Sequence, residues 1–183
     1  MVIRFLSPPM TVSTSRDPGN HPEERRRGRS VIRSGALTLF QRQAFTPILE
    51  VIRNELNSDA AGITNIYEES AFIIAASGFP VGRYNRSDSF CAHAILQSEE
   101  LMIVPDLRED DRFSSHSTVD RRDGFRFYAG MQLLDDDRMP LGALGVIDKH
   151  PRVSLSNAEI ACLRRVSQAV TAMMRRHAAV TVE

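Results

Sequence analysis

Cys91 and His93 are the first residues whose types and spacing could do chemistry, because they stand two positions apart directly after Phe90. A thiol in the first turn of a helix has a lowered pKa and is a candidate nucleophile. Packed beside Phe90, the same thiol would be an inert buried residue, and we favour that interpretation. His93 could hydrogen-bond a ligand or respond to pH. We favour a histidine held in place by a backbone carbonyl or by Asp106.

A metal site is not predicted around this pair. A closed zinc site needs three or four ligands, and no second Cys/His pair lies near enough in sequence to supply them. We likewise expect no haem ligation by His93. The two cysteines of the chain, Cys91 and Cys162, are too few for a disulfide framework. A reducing compartment is therefore expected, and the protein is predicted to be cytoplasmic.

Further candidates lie in a stretch of clean apolar alternation at residues 125–134. Arg126, Tyr128 and Gly130 share one face of the predicted strand, and Phe127 lies on the other. If the first face meets a pocket, the arginine suits an anionic ligand and the tyrosine contributes a polar tip. If the opposite face meets the pocket, Arg126 is a surface residue. The sequence leaves both arrangements open.

Helices are predicted at both ends of the periodic part of the chain. The first begins at Ser34 and is interrupted at Pro47, which makes either one kinked helix or two. Its apolar face is predicted to contain Leu37, Phe40, Ala44, Ile48, Val51 and Ile52. The last helix runs to about Arg176 from a capping box at Ser156 and Glu159. Four apolar residues on it have the spacing of a heptad seam: Leu163, Val166, Val170 and Met173.

Strands and one short helix are predicted between these two helices. In chain order they are a hairpin of strands at 61–67 and 71–76, a polar loop at 81–87, a short helix at 90–97, a strand at 101–104 and a strand pair at 125–134 and 141–147. Ser89 is predicted to cap the short helix. Residues 114–123 are polar and predicted to be mobile. This order predicts an α+β sandwich, with helices packed on one sheet.

The N-terminal residues 1–33 are rich in proline, glycine and arginine and are predicted to form a disordered arm. The cluster at residues 25–29 could contact nucleic acid or acidic lipid, but Glu23 and Glu24 dilute it and we expect a solvated tail. A chain of 183 residues with no net charge predicts one domain, at residues 34–177 before a short tail at 178–183, and gives no general argument for nucleic-acid binding. Its apolar runs are too short to span a membrane.

Three motifs together resemble the GAF domain, a widespread sensory module, over roughly residues 44–176. They are SFCAHAI at 89–95, IVPD at 103–106 with DRF at 111–113, and RFYAG at 126–130 with LGALGVID at 141–148. The resemblance implies a GAF-like, PAS-related α+β sandwich. Such a fold has a central antiparallel sheet of about five to six strands, with helices on one face and loops plus short helices over the other.

The resemblance also implies a regulatory domain without catalytic residues, which senses a small molecule in signal transduction. The implied pocket lies on the open face of the sheet, and its candidate ligand-binding residues are Phe90, Cys91, His93, Asp106, Arg126, Tyr128 and Gly130. The first and last helices would pack in a homodimer and pass the signal to a partner such as a histidine kinase or a cyclic-dinucleotide enzyme. Neither the ligand nor any cofactor follows from the sequence.

Two alternatives remain within the same resemblance. Some GAF proteins are thiol reductases of free methionine sulfoxide and need at least two cooperating cysteines, whereas Cys162 is predicted to lie behind the sheet. A ligand-free dimerisation scaffold would instead have a pocket filled by its own side chains. Bilin attachment is not expected because Ala92, not histidine, follows Cys91. The Asn-Lys…Phe…Asp-Glu pattern of cyclic-nucleotide-binding members is absent.

Overall fold

The computed structural model of the protein describes residues 16–35, 37 and 42–180. These residues form four α-helices, one 3₁₀ turn and six β-strands. In chain order they are α1 (Glu24–Arg33), α2 (Arg42–Glu55), β1 (Ala60–Tyr67), β2 (Ser70–Ser77), β3 (Gly82–Asn85), the 3₁₀ turn (Arg86–Asp88), α3 (Phe90–Ala94), β4 (Leu101–Val104), β5 (Phe127–Leu134), β6 (Pro140–Asp148) and α4 (Asn157–Val180). Among them, no helix is long and apolar enough to cross a membrane.

The six strands form one sheet in the order β3-β2-β1-β6-β5-β4, and every neighbouring pair is antiparallel. The predicted α+β architecture, one antiparallel sheet with helices packed on it, is confirmed. One face of the sheet packs against α2 and α4 around a core that includes Phe127 and Met131. The other face packs against α3 and the long connection between β4 and β5, around Tyr128 and Phe113. The sheet therefore separates two hydrophobic layers.

The predicted hairpin is present as β1 and β2, with Tyr67 paired to Ser70 at its closed end. The predicted polar loop at 81–87 was wrong, because β3 forms within it and pairs with the edge of β2. That pairing uses backbone groups, which carry no side-chain pattern into the sequence. The short helix α3 ends at Ala94, earlier than predicted, and the Ser89 side chain makes no capping hydrogen bond.

The first predicted helix is a single helix, α2, with Pro47 inside it. Its predicted start at Ser34 was wrong, because Ser34 caps the C-terminus of α1. The fully buried side chains of α2 are Phe45, Leu49 and Ile52, of which Ile52 belongs to the predicted face, and the buried Leu56 follows directly after the helix. Of the predicted face, Val51 is 55% exposed, and Phe40 lies outside the described residues. The larger side chains at 45, 49 and 56 fill the layer against the sheet, so the helix is rotated from the predicted orientation.

The last helix, α4, begins at the predicted capping box, in which Ser156 N–H donates to Glu159 Oε2 at 2.7 Å and Glu159 N–H donates to Ser156 Oγ at 3.3 Å. Leu163 and Val170 of the predicted heptad seam are fully buried against the protein's own sheet. These two positions are therefore core residues and are not free to pack against a second helix. A heptad and a core-facing helix share the same short-range spacing, so the sequence could not separate them.

The predicted disorder of residues 1–33 was wrong for residues 24–33, which form α1, and residues 1–15 lie outside the described residues. Arg27 on α1 is fully buried and donates to the carbonyls of Ile66, at 2.7 Å, and Pro140, at 3.3 Å. Glu24 accepts hydrogen bonds from both Arg27 and Arg86. In the sequence, an arginine that will be buried and paired cannot be told from an arginine in a solvated tail. The tail predicted at 178–183 is helical at 178–180.

Candidate functional site: a cavity on the sheet

A cavity of about 450 Å³ lies on the face of the sheet opposite α2 and α4. Strands β1, β2 and β6 form its floor. Residues 88–90 and 116–125 close it on the opposite side, and we call these two segments the cover. The residues that line it are Ala60, Ala61, Gly62, Thr64, Ala71, Ile73, Ala76, Phe79, Arg83, Tyr84, Asn85, Asp88, Ser89, Phe90, Cys91, His116, Ser117, Thr118, Phe125, Tyr128, Gly145 and Ile147. A volume of this size suits a small organic ligand.

The floor exists because a row of very small residues crosses four strands. Gly130 pairs with Gly145, Gly145 with Gly62, and Gly62 with Ala76. Successive residues of a strand point to opposite faces, so larger neighbours can fill the helix layer while this row leaves the opposite side low. The space above Gly62 and Ala76 belongs to the cavity.

Tyr128 occupies the other end of this row. A Cβ atom at Gly130 would overlap the Tyr128 ring, and one at Gly145 would lie 3.2 Å from it, so glycine at both positions lets the ring lie flat on the sheet. The Tyr128 hydroxyl donates to Cys91 Sγ at 3.3 Å. Burial raises the pKa of Tyr128 well above its ordinary value, so the phenol stays neutral. Gly130 therefore positions a cavity wall without lining the cavity itself.

Cys91 lies beside Tyr128 and is 8% exposed. Burial raises the pKa of the Cys91 thiol, and hydrogen bonds from Tyr128 and Thr64 offset only part of that rise. The thiol is therefore protonated at neutral pH, which supports the inert buried residue over the activated nucleophile. Cys162 packs in the helix layer, on the opposite face of the sheet from Cys91.

His116 fastens the two parts of the cover to each other. Its Nδ1 accepts the Thr118 backbone N–H at 3.1 Å, so the ring proton is on Nε2, which donates to the Asp88 carbonyl at 3.0 Å. Burial lowers the pKa of His116, and the ring is neutral at physiological pH. The Phe90 ring lies 4.8 Å from this imidazole and 5.4 Å from the Tyr128 ring. The segment at 114–123, which the sequence predicts to be mobile, therefore contributes a hydrogen-bonded residue to the cavity wall.

Arg83 and Asp88 are the charged side chains among the described residues that line the cavity. The Nε of Arg83 donates to Ser70 Oγ at 2.9 Å, and its guanidinium lies 5.9 Å from the Phe72 ring centroid. Asp88 accepts a hydrogen bond from Asn85 Nδ2 at 3.3 Å. The cavity thus carries one positive and one negative group, and the rest of its lining is neutral.

Of the residues that the sequence suggested for the site, Phe90, Cys91 and Tyr128 line the cavity, and Gly130 supports Tyr128. His93 does not line it. Its Nε2 is 3.1 Å from the Arg16 carbonyl, and burial lowers its pKa to about 4. The structure therefore holds His93 by a backbone carbonyl, as one of the two sequence interpretations had it.

Asp106 and Arg126 also lie away from the cavity, where they form an ion pair with Nε donating to Oδ1 at 2.7 Å. The hydrogen bond from Arg126 lowers the pKa of Asp106. Arg126 precedes β5, so it does not share the surroundings of Tyr128 although the alternation places them on one face. The sequence missed Arg83, Asp88 and His116, because they belong to no periodic pattern.

One group of possible metal ligands occurs in the described part of the chain: Asp59, Asp148 and His150 lie within 4.8 Å of one another. Arg152 Nε donates to Asp148 Oδ2 at 2.7 Å, and Lys149 N–H donates to Asp59 Oδ2 at 2.7 Å. Each carboxylate thus already accepts a hydrogen bond from the protein itself, and the group needs no cation to explain it.

Comparison with protein families shows that residues 42–173 match the model of the GAF domain. Among curated proteins, the chain is similar to a cyclic di-GMP phosphodiesterase of Pseudomonas aeruginosa, with 32% identity over 130 residues. That match covers 71% of this chain and 22% of the relative. The chain therefore spans about a fifth of the length of the curated relative it matches.

Solved structures share the fold at low sequence identity. The GAF domain of an Acinetobacter phosphoenolpyruvate-protein phosphotransferase matches with a TM-score of 0.63 and 16% identity, over 86% of this chain and 96% of that one. A type II free methionine-R-sulfoxide reductase from Thermoplasma acidophilum matches with a TM-score of 0.60 and 12% identity, over 74% and 92%. A domain described as part of a Sinorhizobium meliloti two-component sensor histidine kinase matches with a TM-score of 0.61 and 16% identity, over 78% and 96%.

Proposed function

Because this chain belongs to the GAF domain family, whose members are typically sensory regulatory domains, we propose that it binds a small molecule in the cavity and regulates a signalling protein. The observation that supports this most directly is the 450 Å³ cavity between the sheet and the cover. Its walls are mostly apolar, with a few convergent polar groups, as in typical ligand sites. A scaffold without a ligand would instead fill this space with its own side chains.

A ligand would act by favouring one arrangement of the cover. His116 links the two parts of the cover through one hydrogen bond to the Asp88 carbonyl, so a ligand that contacts both parts would stabilise the closed arrangement. A ligand shifts such an equilibrium only by its difference in affinity for the two states. The contacts of Phe90 with His116 and Tyr128 would carry the change to the sheet.

The output would pass through α2 and α4 in a homodimer. Both helices pack on the face of the sheet opposite the cavity, so a shift of the strands reaches both of them. The buried seam residues of α4 are committed to the core, which leaves the outer faces of the two helices for a partner copy. Val51 on α2 is 55% exposed and is suited to such a contact.

The regulated partner would be a histidine kinase or a cyclic-dinucleotide enzyme, in a cytoplasmic setting. The similarity to a much longer cyclic di-GMP phosphodiesterase and to a histidine-kinase domain supports this choice.

We take residues 16–180 as the folded unit, because α1 is joined to the 3₁₀ turn through Glu24 and Arg86.

The methionine sulfoxide reductase alternative has less support, and we propose a non-enzymatic role. The neutral Cys91 thiol lines the cavity, but Cys162 lies behind the sheet, so the two sulfurs cannot cooperate at one substrate. A wild-type protein that reduces free methionine sulfoxide with a thiol reductant would overturn this part of the proposal. The Cys91→Ser variant is the control that assigns any turnover to this site.

Native mass spectrometry of the purified protein tests the sensory role first, because one spectrum gives both the subunit count and any retained molecule. A dimer that carries a small molecule supports the proposal. A monomer without any retained molecule would contradict the proposed signalling through a homodimer. Spin labels on the outer faces of α2 then report whether a bound molecule changes the distance between helices, and an unchanged distance at saturation contradicts the proposed output.

A further inference from the structure

Five phenylalanine and tyrosine rings line the cavity. Phe79 lies 6.2 Å from both Tyr84 and Phe125, measured between ring centroids, and all three rings line the cavity. Phe90 and Tyr128 form a second pair at 5.4 Å on the side of α3. Two groups of rings therefore border one space.

Part of the floor of the cavity is low. Gly62 and Ala76, which pair across β1 and β2, contribute no side chain larger than a methyl group, while Ile73 and Ile147 line the cavity beside them. This strip of backbone leaves room for a planar group, which the aromatic rings of the walls can contact. An aliphatic molecule fits the same volume but gains no ring–ring contacts.

The inner polar groups of the cavity are neutral. Thr64, Cys91 and Tyr128 are at most 8% exposed, and they hydrogen-bond among themselves. A ligand group that reaches this end must therefore be uncharged, because an ion would lose its water without gaining a partner of opposite charge.

The charged side chains of the cavity do not form a phosphate site. Among the described residues, Arg83 is the one arginine in the lining and Asp88 balances its charge, while α3, with five residues, is too short to act as an anion site. Arg86 lies nearby but does not line the cavity, and its terminal nitrogens bond the Glu24 carboxylate. Phosphate recognition uses several arginines or lysines or a long helix N-terminus, and neither occurs in this lining.

From these observations we infer that the cavity binds a compact planar aromatic molecule without a phosphate group. The inference rests on the proposed sensory function and names the class of its ligand. This ligand class excludes the cyclic dinucleotide on which the curated relative acts, because a cyclic dinucleotide carries two phosphates. The aromatic part of the ligand would lie over Gly62 and Ala76, and its polar substituents would face Arg83 and Asp88.

Matched small probes test the inference: benzyl alcohol and indole as aromatic probes, cyclohexylmethanol as the saturated counterpart of benzyl alcohol, and guanosine monophosphate with inorganic phosphate as phosphate probes. Backbone amide NMR signals of Gly62 and Gly145 report binding, since both residues line the cavity. We expect benzyl alcohol to shift both signals, with a dissociation constant about three- to tenfold lower than that of cyclohexylmethanol.

Two cavity variants and one control variant locate the effect. Ala76→Leu fills the slot and should abolish the shifts, whereas Ala161→Leu, the same change on the exposed side of α4, should preserve them. Phe79→Leu removes a ring while keeping an apolar side chain, so it should reduce the preference for benzyl alcohol over cyclohexylmethanol. This second variant keeps the test decisive if Ala76→Leu fails to fold.

The inference is overturned if cyclohexylmethanol binds as tightly as benzyl alcohol, if a phosphate probe shifts the same signals at lower concentration, or if no aromatic probe shifts them. Its failure is distinguishable from that of the sensory function. A saturated or phosphorylated molecule retained in the native mass spectrum would refute the aromatic ligand class but would leave the proposed sensory function standing. Binding of an aromatic probe without any change in the distance between helices would support the ligand class but would refute the proposed sensory function.

Discussion

The two faces of the sheet are built from alternating residues of the same strands, yet one face is filled and the other is left partly empty. On β5, Phe127 and Met131 are fully buried under the helices, while Gly130 between them leaves space for a flat ring. On β6, Leu144 is buried on the helix side, and its neighbour Gly145 borders the cavity.

The two faces of the sheet therefore have different structural roles. The helix face buries Phe127, Met131 and Leu144 completely, and such dense packing stabilises the fold. The cavity face gives up packing contacts to keep a space of ligand size. Substitutions on the helix face should therefore change global stability most, and substitutions on the cavity face should change binding and local motion.

The largest effect is expected from Phe127→Ala, because this ring is fully buried on the helix face and the Arg152 guanidinium lies 5.3 Å from its centroid. Loss of the ring should lower the free energy of unfolding by about 3–5 kcal/mol, measured by urea denaturation. The matched change Phe125→Ala on the cavity side should cost less, because that ring already borders empty space. Equal costs for the two variants would contradict the comparison of the faces.

Glu24→Gln tests the join between α1 and the rest of the domain. Arg27 and Arg86 are almost completely buried and share this carboxylate, so its neutralisation should cost about 2–3 kcal/mol of unfolding free energy; we place it below the usual range for buried pairs because Glu24 is partly exposed. Glu23→Gln, which removes an exposed pair with Arg26, is the control and should change stability little.

The pH dependence of the same variant gives an independent check. Burial alone would raise the pKa of Glu24, but hydrogen bonds and charges from Arg27 and Arg86 lower it from 4.5 to about 2. The unfolded chain then binds a proton before the folded one does, so this stabilisation is complete above pH 4.5 and is lost as the pH falls towards 2. The stability difference between wild type and Glu24→Gln should therefore shrink across that window, and a constant difference would remove Glu24 as its source.

Gly130→Ala should have an intermediate effect on the cavity face. Its Cβ would overlap the Tyr128 ring, so we expect a cost of about 1–3 kcal/mol from urea denaturation. In the background of Tyr128→Ala the overlap is gone, and the same substitution should become nearly neutral. A double-mutant cycle that shows additive costs would mean that Gly130 does not support this ring.

His116→Ala should have the smallest global effect, about 1 kcal/mol, since it removes one neutral hydrogen bond between the parts of the cover. The informative readout is hydrogen exchange, which should become faster in residues 114–124 but not in β5. Because burial lowers the pKa of His116, protonation favours the unfolded chain, and the cover should loosen as the pH falls below the ordinary histidine value of 6.5. The His116→Ala variant should lack this pH response.

The sequence predicted the parts of the fold that depend on local chemistry. The capping box at Ser156 and Glu159, the hairpin at β1 and β2, and the alternation along β5 all appear where the pattern placed them. Phe90, Cys91 and Tyr128 were recognised for the site, because a motif and a strand face carry them together. Each of these signals spans a few residues and needs no distant partner.

The features that the sequence did not reveal depend on distant partners. Arg27 becomes a core residue only because the carbonyls of Ile66 and Pro140 meet it there, and the same side chain in an isolated arm would be solvated. His116 becomes a wall residue only because Asp88 lies beside it. Arg126 does not line the cavity for the same reason, since it forms an ion pair with Asp106 outside the cavity.

From the sequence it was possible to predict the helices and strands from α2 to α4 except β3, the family, and the alternation of the two faces along β5, because backbone propensity and periodicity act between neighbours. The tertiary structure was needed to show which face of β5 meets the cavity, which charges are buried, which rings border the cavity, and which faces of the helices stay exposed. Those outcomes depend on the desolvation and packing of residues far apart in the chain, and no local pattern records them.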